Sequence, residues 1–176
     1  MINQMDQKIG EFTVGTQVMV SDPCYEDGDQ TINTLPGTWV SYVTYNDEGR
    51  VAVLMAHNKE YFNIHHMDES DFRFITDELG VDSGQMAICD LIHYKHTDEE
   101  YHKYCDATLS DFYAGIIDKY ACASSTGWGD GEYTLYGIYS DRQKDEYCAL
   151  LIEFINEDEE DDSDNEYYDD SEDDER

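Results

Sequence analysis

Basic residues are scarce in this chain of 176 residues: ten Lys and Arg stand against 42 Asp and Glu, for a formal charge of −32. A chain so short of cations repels nucleic acid and anionic membrane, so direct binding to either is not expected. No apolar stretch approaches the ~20 residues that a membrane span requires, and residues 1–10 lack the basic end and apolar core of a signal peptide. The expectation is a soluble protein acting in a cytoplasm. Proline is nearly missing too: Pro23 and Pro36 mark loops rather than a domain boundary, and there is no internal repeat. The five cysteines, Cys24, Cys89, Cys105, Cys122 and Cys148, are odd in number and show no paired spacing. That speaks against a disulfide framework and for reduced thiols packed as small hydrophobes, as with Cys89 after Ala87-Ile88 and Cys148 before Ala149-Leu150-Leu151.

What is abundant is negative charge, and it is unevenly spread. Residues 157–176 take fourteen of the 42 acidic residues and one of the ten basic ones, leaving 28 and nine on residues 1–156. The two parts carry −13 and −19, so the body is acidic in its own right. Hydrophobic residues at 40% and fifteen Tyr argue that the body folds, because disordered chains are poor in aromatic and β-branched residues. We therefore expect one globular domain over residues 1–156 and a disordered acidic tail over residues 157–176.

The pattern of the body predicts an α+β fold, mainly antiparallel sheet with one or two short helices. Residues 12–20 and 38–45 have the β-branched and aromatic content of strands, and Asn46-Asp47-Glu48-Gly49 turns the second back into residues 50–56. Residues 86–94 read as a strand, and residues 132–139 and 146–154 flank a polar turn at 140–145. Thr97-Asp98-Glu99-Glu100 opens a helical turn. Ser110 is placed to cap a helix through Tyr120 with Phe112, Ile116, Ile117 and Tyr120 on one face.

Four clusters have some chemical potential. In Asp22-Pro23-Cys24-Tyr25 an Asp stands beside a Cys, but no cation is adjacent to hold a thiolate, and Asp-Pro favours a strand-ending turn. The run Ser124-Ser125-Thr126-Gly127-Trp128-Gly129-Asp130-Gly131 lacks the Gly-Lys-Ser/Thr of a phosphate loop and enters a strand, so a tight turn is the better account. His93, His96, His102 and Cys105 supply zinc-type ligands at a spacing that does not form two close pairs; surface histidines are the simpler reading, and no metal is expected. Asp27-Gly28-Asp29 and Asp130-Gly131-Glu132 do not fit the twelve-residue calcium loop. No cofactor is expected. An enzymatic alternative remains, a small hydrolase with Cys24, Asp82, Ser83 and Asp130 gathered at one end of the sheet.

The segments Ser21-Asp22-Pro23-Cys24-Tyr25, Val81-Asp82-Ser83-Gly84-Gln85 and Gly127-Trp128-Gly129-Asp130-Gly131-Glu132-Tyr133 resemble the signature of an uncharacterised domain family of phages and bacteria. That resemblance spans most of the body and implies no chemistry. In size and acidity the whole chain also resembles the cytotoxic early proteins with which large lytic phages of Gram-positive bacteria shut off host RNA synthesis. The second resemblance implies a non-enzymatic inhibitor in the host cytoplasm, with RNA polymerase as the leading partner and a restriction or defence nuclease as the alternative.

Charge reasoning supplies a mechanism for that setting. Carboxylates standing in for phosphates compete for the Lys and Arg of a basic channel. The residues expected to make that contact are Glu157, Asp158, Glu159, Glu160, Asp161, Asp162, Asp164, Glu166, Asp169 and Asp170, with Tyr167 and Tyr168 as anchors in apolar pockets. Charge runs are ordinarily solvated appendages. The 28 acids of the body, which destabilise a compact state by self-repulsion, argue for more than that.

Overall fold

The computed structural model describes residues 7–25, 30–66 and 68–156. Among them run β1 (Gln7–Val14), β2 (Gln17–Ser21), β3 (Gln30–Asn33), β4 (Gly37–Tyr45), β5 (Val51–Asn58), α1 (Lys59–Ile64), β6 (Arg73–Val81), β7 (Gln85–Asp90), α2 (Asp98–Thr108), β8 (Ala114–Ile117), β9 (Ala121–Ser125), β10 (Gly131–Tyr139) and β11 (Tyr147–Glu153). Sheet A has the order β1-β4-β5-β11-β10-β6 and sheet B the order β3-β2-β7-β9-β8, and every pairing in both is antiparallel. The expected antiparallel sheet is present. With eleven strands against two short α-helices, the fold is mostly β rather than α+β.

Period-two alternation joins the two sheets. Trp39 and Val43 of β4, Leu150 and Ile152 of β11 and Leu135 of β10 pack with Val18 and Val20 of β2 and Met86 and Ile88 of β7 in one buried cluster. Each such side chain contributes roughly 1.5–3 kcal/mol by leaving water. Trp39 is fully buried and satisfies its indole N–H on the Leu35 carbonyl at 2.9 Å. In β7 every residue is buried, because sheet A covers one face and α2 the other. Its odd positions Ala87 and Cys89 meet Tyr104 of α2 together with Ala121 and Ala123 of β9. Small residues bring the helix close: a Cβ on Gly115 would stand 3.0 Å from the Ala107 Cβ.

Thr97 caps α2 as its sequence predicts, accepting from the Glu100 N–H, and Asp98, Glu99 and Glu100 sit at the positive end of the helix dipole. Both expected hairpins form, β4 with β5 and β10 with β11. Two expectations are corrected. The strand read over residues 12–20 is two strands in different sheets, parted at Gly15-Thr16, where the Gly15 N–H donates to the buried Asp90 carboxylate at 2.9 Å. The helix read from Ser110 to Tyr120 is a β-hairpin. Asp118 and Lys119 take φ of 42° and 66°, the paired left-handed conformation of a two-residue hairpin turn, and Tyr113 at 52° stops any helix before it begins. Among the described residues no helix is long and apolar enough to cross a membrane.

Candidate functional site

One end of the sandwich gathers the features that a binding surface needs. The β4–β5 turn, the segment 110–113, the glycine loop 126–130 and the last described residues meet there. Arg50 leaves the turn and lays its guanidinium over the Trp128 ring at 4.8 Å, while its Nε donates to Glu48 at 3.1 Å and its Nη1 to the Gly127 carbonyl at 3.2 Å. Beside this pair lies a cleft of about 360 Å³ lined by Glu48, Gly49, Arg50, Val51, Tyr113, Ser125 and Gly127.

Backbone geometry holds these side chains outward. Gly127 and Gly129 have φ of 64° and 97°, so Trp128 is flanked by two left-handed residues and left half-exposed. Tyr113, also half-exposed, is itself left-handed. Such strain costs about 1–3 kcal/mol for a non-glycine residue and persists only where neighbours impose it. Here its N–H donates to the Ser110 carbonyl at 3.0 Å and its carbonyl accepts from Ser125 at 2.9 Å, while Tyr45 hydrogen-bonds the adjacent Phe112 carbonyl at 2.7 Å. Exposed Asp47, Glu48, Asp82, Asp111 and Asp130 stand on the turns of the same end. An aromatic and arginine centre inside a charged rim is the anatomy of a protein interface.

The chain reaches its last described residues beside this cleft. Phe154 and Ile155 both donate to the Ala52 carbonyl, at 2.8 and 3.2 Å, and Ile155 packs on Gly127. The partner-binding residues expected on the tail, 157–170, lie outside the described residues, as do Asp27, Gly28 and Asp29. In the sequence the acidic run follows immediately after Asn156.

The Asp22-Cys24 segment is the expected strand-ending turn, and its carboxylate is a clamp. Asp22 is buried and accepts the N–H groups of Cys24 at 2.8 Å, Asp82 at 2.9 Å and Ser83 at 2.7 Å, and the Ser83 hydroxyl at 2.6 Å. Each oxygen thus takes two donors, which leaves no lone pair to accept a proton from a nucleophile. Burial pushes the Cys24 thiol up to about 11, with the Ser83 hydrogen bond only partly opposing it, so the sulfur is protonated near neutrality. Asp82 and Ser83 are joined to Cys24 through the Asp22 carboxylate, and the glycine loop that carries Asp130 approaches the β6–β7 turn where Thr126 donates to the Gly84 carbonyl at 3.0 Å. They form a folded joint without a histidine among the contacts described.

The histidines separate. His93 bonds the Asp90 carboxylate at 2.9 Å and stacks on Tyr120 at 4.8 Å; His96 meets the edge of Tyr94; His102 bonds the Asp98 carbonyl at 2.6 Å. Among the described residues no three His, Cys, Asp or Glu stand together as metal ligands. Of the surface just described, sequence reasoning singled out the glycine loop but not Arg50, Tyr113 or Trp128 as a unit. The available signal was Gly127-Trp128-Gly129, a large apolar side chain between two residues that permit left-handed backbone. Comparison with protein-family models, with curated proteins and with solved structures finds no match to this chain.

Proposed function

We propose that the chain is a phage host-takeover protein that inhibits host RNA synthesis by occupying the basic channel of RNA polymerase in place of nucleic acid. The observation that carries this reading is that the last described residues, Phe154 and Ile155, pack beside an exposed Trp128–Arg50–Tyr113 surface rimmed by carboxylates, and that the acidic run follows them in the sequence. The run accelerates encounter with a cationic groove, and its effect reaches about 8 Å at physiological salt. Electrostatics of that kind gives rate and broad preference more than selectivity. Selectivity then falls to the cleft and the Trp128 ring beside it, since Trp, Tyr and Arg are the residue types enriched among those that dominate binding energy. The saturated Asp22 and the protonated Cys24 support a binder rather than a catalyst.

The test is multi-round transcription with purified bacterial RNA polymerase, titrated with the full chain, with residues 1–156 and with Trp128→Ala, at several salt concentrations. Inhibition by the full chain that weakens with salt, and weakens again in both variants, is the expected result. No inhibition by the full chain at low salt overturns the polymerase assignment. Protection of DNA from a restriction nuclease in a parallel reaction would then move the same mechanism to that target.

A further inference from the structure

We infer that the face of sheet A turned away from sheet B is a self-association surface, and that its partner is a second copy of this chain. Cross-strand register lays Lys8, Tyr42, Met55, Leu151, Tyr136 and Phe74 side by side in one row across all six strands. Their strand neighbours Val43, Leu54, Leu150 and Leu135 point into the core between the sheets, so by period-two alternation this row points out. Polar residues are the usual occupants of an outward row. Here five of the six are large and apolar: Phe74 is 60% exposed, Tyr42, Leu151 and Tyr136 are half-buried, and Met55 is enclosed at the centre. Phe74 meets Tyr136 edge-on at 6.4 Å, and at the other side Tyr42 stacks on His57 at 5.6 Å, which in turn stacks on Phe62 of α1 at 4.2 Å. A contiguous apolar strip of this kind on a surface marks a contact site.

Charge selects the occupant. The row contains no carboxylate, and on either side the adjacent outward rows of β1, β4, β5, β10 and β11 hold one each, Glu11 and Glu153. Glu11 is bonded by both Lys8, at 3.3 Å, and Lys59, at 2.9 Å. Two cations thus offset two anions on this face, while residues 1–156 together carry −19. A basic partner gains most from the acidic surfaces and least from this one, whereas two copies approach here with the least mutual repulsion. The two edges of the face are also complementary. A twofold axis along the strands lays the β1 edge of each copy on the β6 edge of the other. Lys8 then faces Phe74 of the second copy, beside its exposed Asp77 and Glu78. Arg73 does not oppose this, because its guanidinium is turned to the Ser70 and Phe72 carbonyls at 2.6 and 3.3 Å. The interface uses the side of the sandwich and not the end that carries Trp128, so the inference is independent of the reading of that site.

The test is sedimentation velocity of the full chain over a wide range of protein concentration, at low and high sodium chloride. The expected mass rises toward twice the 20.4 kDa of one chain, and does so more readily at high salt, which screens the repulsion between two chains of −32 and leaves apolar contact in place. Inhibition of polymerase is expected to weaken with salt, so the two readings fail separately. Phe74→Asp, at an exposed position outside the core, is expected to raise the dimer dissociation constant about thirtyfold. The unmodified chain supplies a second measurement: carbodiimide cross-linking of mixed isotope-labelled and unlabelled copies should give a mixed peptide joining Lys8 to Asp77 or Glu78. A chain that stays monomeric at every concentration overturns the inference, whether the face is then bare or covered by residues 157–176 of the same chain. A dimer that Phe74→Asp leaves intact, or whose mixed cross-links all lie elsewhere, overturns it as well.

Discussion

Gly127 is seated directly on Ile155: a Cβ at position 127 would lie 2.9 Å from the Ile155 Cδ1 and 2.5 Å from the Val51 carbonyl oxygen, at a φ of +64°. The loop that presents Trp128 and the segment that leads into the acidic run are therefore positioned by one contact. Gly127→Ala must move backbone as well as side chain, and its left-handed φ adds strain. The expected loss is about 3 kcal/mol in urea unfolding, with the slope of the transition unchanged. A loss below about 0.5 kcal/mol would show that the loop does not rest on Ile155.

Asp22 joins the turn after β2 to the β6–β7 turn through four accepted hydrogen bonds. Asp22→Asn places an N–H₂ opposite the Asp82 and Ser83 N–H groups in one orientation, losing two bonds, and opposite the Cys24 N–H in the other, where only the Ser83 hydroxyl can reverse and accept; the charge is lost in both. Hydrogen bonds to charged groups are worth about 1.5–3 kcal/mol. Thermal unfolding of the asparagine variant is expected to show destabilisation of about 3 kcal/mol, and an unchanged melting temperature contradicts the clamp.

His57 lies between Tyr42 at 5.6 Å and Phe62 at 4.2 Å, and burial pulls its pKa below the usual 6.5. The unfolded chain takes up a proton there at higher pH than the folded one does. Stability is therefore complete above 6.5 and falls as pH drops from 6.5 toward the lower folded value. Urea unfolding between pH 8 and pH 5 should show that decline, and His57→Gln should reduce it. Equal slopes in the two proteins would remove His57 as the cause.

Trp128→Ala deletes a half-exposed ring whose principal described partner is Arg50. Its effect on folding should stay within about 1 kcal/mol, whereas a hot-spot tryptophan costs 2 kcal/mol or more in binding, roughly thirtyfold in affinity. Isothermal titration against purified RNA polymerase, beside a melting curve of the free variant, separates the two. Binding that survives the substitution places recognition elsewhere on the chain.

The strands that were legible were those with alternating or β-branched runs ended by turn residues, as in β4, β5, β10 and β11. Residues 110–120 misled because Phe112, Ile116, Ile117 and Tyr120 fall at helical spacing by coincidence. Gly115 and the adjacent β-branched pair Ile116-Ile117 were the better guide, and only tertiary contact, Gly115 on Ala107, decided it. The edge strands β3 and β6 and the short helix α1 carry mixed polar sequences with no clear period. Cysteine burial was readable for Cys89, Cys122 and Cys148, whose neighbours are apolar. The candidate surface was hidden because Arg50, Tyr113 and Trp128 come from three segments brought together by sheet topology.

The order of strands in sheet A has a bearing on biosynthesis. β11 lies between β5 and β10, although it is made after both. Until it emerges, the sheet exists as two pieces, each presenting an open edge of unpaired amides and carbonyls rich in apolar side chains, the arrangement that invites pairing between nascent chains. A body of 28 acidic residues against nine basic ones holds such chains apart by mutual repulsion during that interval. Neutralising its surface would thus show first as a lower soluble yield, before any change in the stability of the finished fold.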